Sequence, residues 1–404
     1  MNNKKVFIQT FGCQMNKLDS ELISGSLVQA GYELVDSETK ADVILVNTCS
    51  VREHAEERVY SRVSNLKRLK EKKPGLIIGI IGCMAQKDKE QIFKRLPHVS
   101  LVCGPHRYKS IVTQIDKLRC QNADRVVCAD EAGLIKGEDY EHSNFISDKN
   151  HAYVQVMRGC DNFCSYCIVP YVRGKEISRT PEEIIKEVGS LLDKGVREFT
   201  LLGQNVTAYA AKRSPDEYRD DKSLNNKVSL SSLLKELVKV FQRSTLNASH
   251  STLSFITSHP SNVTDELLET MAELPEVKRE IHMPAQSGSD RILKMMNRGY
   301  TRKEYLEIVR RAKTLMPDIK IVSDFIVGFP TETEADFQDT VSLVKESGFS
   351  KIYVFKYSPR SGTKASKLPD DVPMEAKKER NNYLLDTFKK ARNLKTICNQ
   401  ELKK

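Results

Sequence analysis

The chain has 404 residues, of which 39% are hydrophobic, so it is long enough for two or three domains with ample cores. Lysine and arginine outnumber aspartate and glutamate by 64 to 54, and the resulting net charge of +10 favours a polyanionic partner. The sequence opens without an export signal, and its longest apolar run, GLIIGIIGCMA, is about half as long as a bilayer span. We therefore expect a cytoplasmic protein with no membrane partner, in which cysteines bind metal or take part in catalysis rather than form disulfides.

Three apolar, strand-like segments near the start of the chain each lead into a cysteine. KKVFIQTFG precedes Cys13, ADVILVNT precedes Cys49 and GLIIGIIG precedes Cys83, with helix-like segments between them. This pattern predicts a doubly wound parallel sheet whose carboxyl edge carries the three cysteines, the amino-terminal triad. Cysteine is also a common core residue, but three occurrences at equivalent positions favour a ligand set. Cys103 follows a fourth strand-like segment and is a rival ligand.

The segment VQVMRGCDNFCSYCIVPYVRG, residues 154–174, places Cys160, Cys164 and Cys167, the barrel triad, within eight positions. A structural zinc site needs four ligands, usually as two CxxC pairs, and no second pair follows. A 4Fe–4S cluster held by three thiolates keeps one iron open for another ligand, and this arrangement suits the spacing better. Gly159 allows the backbone to turn sharply before the cysteines.

From residue 151 onward, apolar runs of strand length alternate with amphipathic helices. The predicted strands are AYVQVM, EFTLLG, LSFIT, REIHMP, KIVSDFIVGF and KIYVFKY. Six strands that alternate with helices predict parallel β–α units and hence a partial (β/α)6 barrel. Cys160 follows the first strand, at the end of the barrel where such folds place their chemistry.

Polar residues follow three other predicted strands, where a bound cofactor would need them: Gln204, Ser258 and Gln286. A residue of this kind is more often a cap or a turn residue. The polar stretch 211–227 interrupts the barrel, and we interpret it as a solvated, mobile surface insertion. Basic stretches at 62–73 and 376–404 predict either RNA contacts or helix ends whose positive charges suit the helix dipole.

Several motifs resemble those of the methylthiotransferase family of radical S-adenosylmethionine enzymes. The CxxxCxxC spacing, HMPAQSGSDRILKMMNRGYT and GFPTETEADF resemble the family's barrel, whereas QTFGCQMNKLDSE, NTCSVREHAEERVY and GCMAQ resemble its amino-terminal domain. The form FGCQMN is most similar to the tRNA-modifying branch. The resemblance extends over about residues 4 to 375.

The resemblance implies an α/β chain with four segments. They are a methylthiotransferase amino-terminal domain at 4–120, a linker at 121–145, a radical S-adenosylmethionine core at 146–375, and a basic helix at 376–404, where the family's TRAM β-barrel would begin. We expect that the TRAM domain is absent. We also expect a monomer.

The resemblance further implies the cofactors and their ligands. Each triad would hold one 4Fe–4S cluster, and S-adenosylmethionine would bind at the barrel cluster, with Tyr166 near its adenine and with further contacts to Gln204, Ser258 and Gln286. For catalysis we expect the cluster ligands to suffice, without a general acid or base.

The implied reaction adds a methylthio group to C2 of N6-isopentenyladenosine next to the anticodon in tRNA, with a low-potential electron donor and a sulfur donor as partners. Two alternatives keep the chemistry and change the substrate: another tRNA adenosine, or an aspartate of a ribosomal protein. An iron–sulfur electron carrier without enzymatic activity is an alternative of another class, which the barrel disfavours.

Overall fold

The computed structural model describes residues 4–50, 53–120, 123–129, 148–212, 227–243 and 250–401. The chain forms two compact units, Met1–Cys160 with Ile168–Ile177, and Asp161–Cys167 with Ser178–Lys404. Most of the predicted linker, and residues 213–226 of the predicted insertion, lie outside the described residues.

The first unit alternates strands and helices. Its elements are β1 (Lys4–Phe11), α1 (Gln14–Gln29), β2 (Tyr32–Leu34), β3 (Val43–Thr48), α2 (Glu53–Asn65), α3 (Lys67–Lys72), β4 (Ile77–Gly82), α4 (Cys83–Asp88), α5 (Gln91–Arg95), β5 (Leu101–Cys103), a 3₁₀ turn (Pro105–Ser110), α6 (Ile111–Cys120), β6 (Val126–Cys128), β7 (His151–Gln155), β8 (Met157–Arg158) and α7 (Val169–Arg173). The helix-like segment EERVYSRVSNLKRLKEKK, residues 56–73, is divided in two at Leu66.

Six of these strands form one parallel sheet in the order β2-β1-β3-β4-β5-β6. Every residue of β3 and β4 is buried, because helices cover both faces of the sheet centre. The apolar run that the sequence analysis noted is therefore a central strand, and the predicted doubly wound sheet is confirmed. The short strand β6 pairs with β5 and lies inside the segment predicted as a linker.

The elements that follow are β9 (Ile177–Ser178), α8 (Pro181–Asp193), β10 (Glu198–Leu202), β11 (Ala210–Lys212), β12 (Lys227–Ser229), α9 (Leu230–Arg243), β13 (Thr252–Ile256), α10 (Asp265–Glu273), β14 (Glu280–His282), α11 (Asp290–Met295), α12 (Arg302–Leu315), β15 (Lys320–Val327), α13 (Glu334–Ser347), β16 (Lys351–Lys356) and α14 (Met374–Glu401). From β9 residue Ser178 onward they belong to the second unit.

Within the second unit, β10 pairs with β13, and β14, β15 and β16 pair in chain order, all in parallel. The ends of β13 and β14 are joined by a hydrogen bond from the Ser258 amide to the His282 carbonyl (3.0 Å). Several helices begin at a residue whose side chain caps the first turn, as Thr301 and Thr333 do with Glu304 and Asp336 in capping boxes. The predicted α/β class and strand–helix alternation are confirmed.

The helix α14 packs against the last strand. The Asn381 side chain donates to the Val354 carbonyl on the outer edge of β16 (2.9 Å), and Leu384 is fully buried. Lys377, 1% exposed, forms an ion pair with Asp370. The first turns of this predicted basic helix therefore cover a sheet edge.

In the parts of the chain that the structure describes, no helix combines the length and the apolar character needed to cross a membrane.

Candidate metal centres and cofactor site

The amino-terminal triad lies at the point where the sheet order reverses. Cys13 follows β1 and Cys49 follows β3, the two strands that flank the reversal, and Cys83 follows β4. Ligand sites in doubly wound sheets form at this point, outside the carboxyl ends of the strands. Gly82 has φ +97°, and a Cβ at this position would lie 2.4 Å from the Thr48 carbonyl, so only glycine allows β4 to end this close to β3.

The thiols of the triad interact with one another. A hydrogen bond with Cys49 is the largest influence on Cys13 and lowers its pKa to about 6, and the positive charge of Arg173 acts in the same direction against burial. Burial raises the pKa of Cys83, and the charge of Cys13 adds to this effect. The three predicted ligands therefore lie close enough for their thiols to influence one another's pKa.

Two buried asparagines join the segments that carry Cys13 and Cys49. The Asn16 side chain donates to the Asn47 side chain (3.0 Å) and to the Thr48 carbonyl (3.2 Å), and its oxygen accepts from the Cys13 amide and thiol (3.3 Å each). Asn47 in turn donates to the Asn16 carbonyl (2.9 Å). This network fixes the backbone around both cysteines, and no pattern in the sequence predicted a role for either asparagine.

A buried ion pair lies beside the third cysteine. Arg173, 4% exposed, donates to both carboxylate oxygens of Asp19 (2.6 and 3.3 Å), and its Nε donates to the Cys83 sulfur (3.2 Å). A hydrogen bond to a ligand sulfur orients the ligand and influences the properties of a bound metal group. Arg173 lies only six positions after Cys167 in the chain, in the motif YVRG.

Cys103, the rival ligand, belongs to the apolar core of the first unit. It is fully buried, in a cluster that includes Leu101 and Ile111, and its thiol donates weakly to the Gly104 carbonyl (3.6 Å). This environment is that of a core cysteine.

Among the described residues, no group of three histidine, cysteine, aspartate or glutamate side chains surrounds a point as the ligands of one metal ion would. A 4Fe–4S cluster makes a different demand, because each thiolate binds a different iron and the sulfurs lie farther apart. Thiols at three adjacent strand ends, one of them with a lowered pKa, are a suitable donor set for such a cluster.

The chain turns sharply before the barrel triad, as predicted. Gly159 has φ +72°, and a Cβ there would lie 1.9 Å from the Lys175 carbonyl. The Cys160 amide then donates to the Gly174 carbonyl (3.2 Å). Glycine at position 159 is therefore a steric requirement of this loop.

In the second unit, the segment after α11 clamps the loop between the cysteines. The Asn297 side chain donates to the carbonyls of Asn162 and Phe163 (3.0 and 3.1 Å), and the Ser165 amide donates to the Met296 carbonyl (2.9 Å). These bonds hold Phe163 at φ +45°, a conformation that a bulky residue adopts only when its surroundings impose it.

Arg298 extends this clamp to a sulfur atom. It is 5% exposed and donates to the Cys164 sulfur (3.3 Å), the Tyr300 hydroxyl (3.0 Å) and the Pro284 carbonyl (2.9 Å). Burial opposes its charge, but the neighbouring Tyr300, Tyr166 and Cys164 keep its pKa raised. Unlike Arg173, it has no carboxylate as a hydrogen-bond partner among the described residues, so its positive charge acts on the sulfur.

The predicted polar residues lie at consecutive strand ends of the second unit. Gln204 follows β10 and Ser258 follows β13, and the buried Gln204 Oε1 and Ser258 Oγ atoms have no hydrogen-bond partner in the described parts of the chain. His259 accepts from the Ser261 amide through Nδ1 (3.3 Å), whereas no described residue is a hydrogen-bond partner of its buried Nε2 atom. Burial, assisted by Arg298, lowers the pKa of His259 to about 3. Buried polar atoms without partners at a strand end suit a polar ligand.

Gln286 and Tyr166 have different surroundings. Gln286 follows β14 with φ +68°, and its backbone joins β15, since its amide donates to the Asp324 carbonyl (2.8 Å) and its carbonyl accepts from the Ile326 amide (2.9 Å). Tyr166 packs against an apolar cluster that includes Met296 and Phe329, and burial raises its pKa. An aromatic ring against such a cluster offers an apolar wall to a flat ligand.

Comparisons with known proteins match both parts of the chain. The family described as "Uncharacterized protein family UPF0004" matches residues 5–104, and the family described as "Radical SAM superfamily" matches residues 154–344. These two regions contain the amino-terminal triad and the barrel triad, respectively.

Similar curated proteins share most of the chain. The tRNA-2-methylthio-N(6)-dimethylallyladenosine synthase of Clostridium novyi (strain NT) is 42% identical, with 95% of this chain and 81% of that protein covered. The protein of the same name from Rhodopirellula baltica (strain DSM 10527 / NCIMB 13988 / SH1) is 41% identical, with coverage of 98% and 82%.

Solved structures support the fold alone. The radical S-adenosylmethionine methyltransferase TsrM from Kitasatospora setae, with cobalamin and a [4Fe-4S] cluster bound, gives a TM-score of 0.62 at 13% identity and covers 90% of this chain and 77% of that chain. The cobalamin-dependent S-adenosylmethionine radical enzyme OxsB gives 0.55 at 14% identity, with coverage of 96% and 56%.

Proposed function

The chain belongs to the radical S-adenosylmethionine methylthiotransferase family, and we propose that it adds a methylthio group to C2 of N6-isopentenyladenosine next to the anticodon in tRNA. It is a transferase of sulfur-containing groups that uses S-adenosylmethionine and 4Fe–4S clusters. The observation that carries the substrate proposal is the match over 95% of the chain to a relative named for this product.

We propose the two triads as the cluster ligands. For the amino-terminal triad, the support is its place at the three strand ends and the interaction between the Cys13 and Cys49 thiols. For the barrel triad, the support is its spacing and the bond that Arg298 donates to Cys164. Reconstituted protein should bind about eight irons, and alanine at the three barrel-triad positions should leave about four. A triple variant with the full complement would contradict the assignment.

When bound, the barrel cluster and S-adenosylmethionine would supply a carbon radical that takes hydrogen from C2, and the amino-terminal cluster would supply the sulfur. The side chains of this protein would bind and orient the cofactor and the substrate, and they would exclude water from the site. Gln204, Ser258 and Gln286 would contact the polar groups of S-adenosylmethionine, and Tyr166 would lie near its adenine. Asn297 and Arg298 hold the loop of the barrel triad in place.

Contact with tRNA is proposed for α3. Lys67, Arg68 and Lys72, the α3 cations, are exposed, whereas Lys70 donates to the Pro74 carbonyl (2.7 Å) and Lys73 donates to Asp42 (2.7 Å). Among the cations of residues 67–73, the α3 cations are therefore the ones available for phosphate groups. We propose a cytoplasmic enzyme, with a low-potential electron donor and a sulfur donor as its other partners.

Mass spectrometry of tRNA nucleosides from a strain that lacks this gene tests the proposed substrate. We expect the methylthiolated adenosine to disappear and its isopentenylated precursor to accumulate. Unchanged tRNA nucleosides would refute the proposal, and a modification lost at another adenosine or in a ribosomal protein would redirect it.

A further inference from the structure

Two residues of β16, Tyr353 and Phe355, form what we call the aromatic row, and Lys351 precedes them on the same strand. Alternate residues of a strand point to the same face, so the three side chains are neighbours. The Tyr353 and Phe355 rings are inclined by only 13°, with centroids 6.5 Å apart. The Lys351 ammonium lies 4.6 Å from the centroid of the Tyr353 ring.

The row lies on the face of the sheet that helices do not cover. In the register of β15 and β16, Tyr353 is opposite Asp324 and Phe355 is opposite Ile326, both of which are only partly buried. The other face of β15 carries Phe325, which is fully buried and packs against Phe349, and Phe349 in turn contacts Tyr305 of α12. The aromatic row therefore faces the inside of the partial barrel.

The row also runs towards the end of the sheet where the cofactor residues lie. Phe355 is opposite Ile326, whose amide donates to the carbonyl of Gln286 (2.9 Å). On the same face, the Asp324 carboxylate lies 3.2 Å from the His282 ring. A flat group stacked on the row would thus be close to the proposed S-adenosylmethionine contacts.

The exposure of Tyr353 distinguishes it from the aromatic residues of the core. Tyr305 and Phe325 of the same unit are fully buried, but Tyr353 is 39% exposed. Two aligned aromatic rings, of which Tyr353 is exposed and Phe355 half-buried, with a lysine beside them, are the arrangement that proteins use to stack unpaired bases and attract phosphate.

We propose that the aromatic row binds an unpaired base of the substrate RNA by stacking, with Lys351 beside it to attract a phosphate group. This inference rests on the proposed function, because it takes the substrate to be the anticodon loop of tRNA, whose unpaired bases can be turned out. Base stacking on an aromatic side chain is sequence-tolerant, so the row positions the RNA next to the reaction site while other contacts select the nucleoside.

The test measures binding of a synthetic anticodon stem–loop that carries isopentenyladenosine, by fluorescence anisotropy at fixed salt. Tyr353→Leu and Phe355→Leu should each weaken binding roughly 5- to 150-fold, the effect expected when stacking on one base is lost. Tyr353→Phe keeps the ring and should bind within about twofold of the unchanged protein. Tyr383→Leu is the matched control, since Tyr383 is 51% exposed but lies on α14.

Leucine variants that bind as tightly as the unchanged protein would overturn the inference and leave the proposed function intact. An unchanged protein that does not bind the stem–loop would overturn both. If the leucine variants did not fold, the test uses the unchanged protein and a stem–loop with the fluorescent base 2-aminopurine next to the isopentenyladenosine. Stacking should quench its fluorescence on binding, and undiminished emission at saturation would refute the inference.

Discussion

Asp19→Asn should strongly destabilise the first unit of the metal-free protein. Asp19 is 1% exposed and accepts two hydrogen bonds from Arg173, which is 4% exposed. The asparagine would leave the guanidinium charge buried without its partner. Removal of one member of such a pair costs about 3–5 kcal/mol, a large part of the roughly 5–15 kcal/mol of a typical domain.

The free energy of unfolding is measured by urea titration, with far-UV circular dichroism and tyrosine fluorescence as probes, since the chain has no tryptophan. Glu57→Gln is the matched control, because the ion pair of Glu57 with Arg95 is exposed and should contribute less than about 1 kcal/mol. The double variant Asp19→Asn, Arg173→Gln should recover part of the loss, since no unpaired charge remains. An Asp19→Asn variant as stable as the control would refute the reasoning.

Three further predictions follow from buried or exposed cations and from His259. Arg298→Gln should lower the reduction potential of the barrel cluster, by about 60 mV if the equilibrium constant for one-electron reduction falls tenfold, whereas Arg298→Lys keeps the charge and should shift the potential less. Both potentials are measured by a redox titration followed by electron paramagnetic resonance, in protein without the amino-terminal triad. Equal potentials would contradict the role of the charge. Glutamine at the α3 cations should reduce the slope of log affinity for tRNA against log salt by roughly 2 to 3 units, and an unchanged slope would exclude α3 from the interface. His259 is neutral in the folded protein down to about pH 3, but it is protonated in the unfolded chain below about pH 6.5. The free energy of unfolding should therefore fall as the pH drops below about 6.5, by up to about 1.4 kcal/mol per pH unit. Urea titrations of His259→Gln should lack this contribution, and an identical pH dependence of the two proteins would contradict it.

The sequence predicts the central strands well, because their signal is local. β3 and β4 are apolar at nearly every position since both faces are buried, and the barrel strands alternate with strongly amphipathic helices. The three-residue strands β2 and β6 escape prediction, because pairing at the edge of an existing sheet stabilises them rather than their own pattern. The break at Leu66 likewise has no glycine or proline to announce it.

The sequence also predicts the six candidate cysteines, but it does not predict the arginines and the aspartate that contact or flank them in the fold. Asp19 and Arg173 are 154 positions apart, and Cys164 and Arg298 are 134 apart. A periodicity or a spacing rule cannot detect such pairs, since only the folded chain brings them together. One signal was present in hindsight: Arg173 and Arg298 each lie in a short motif, YVRG and MMNRGY, that the resemblance already covered.

The central claim is that one site cleaves S-adenosylmethionine while another delivers sulfur. The most direct measurement incubates reconstituted protein with isopentenylated stem–loop, S-adenosylmethionine and a reductant, and follows 5′-deoxyadenosine and methylthiolated nucleoside together by mass spectrometry. We expect both products from the unchanged protein, and 5′-deoxyadenosine alone when alanine replaces Cys13, Cys49 and Cys83. Loss of cleavage in that variant, with its barrel cluster intact, or no methylthiolated nucleoside from the unchanged protein, would contradict the account.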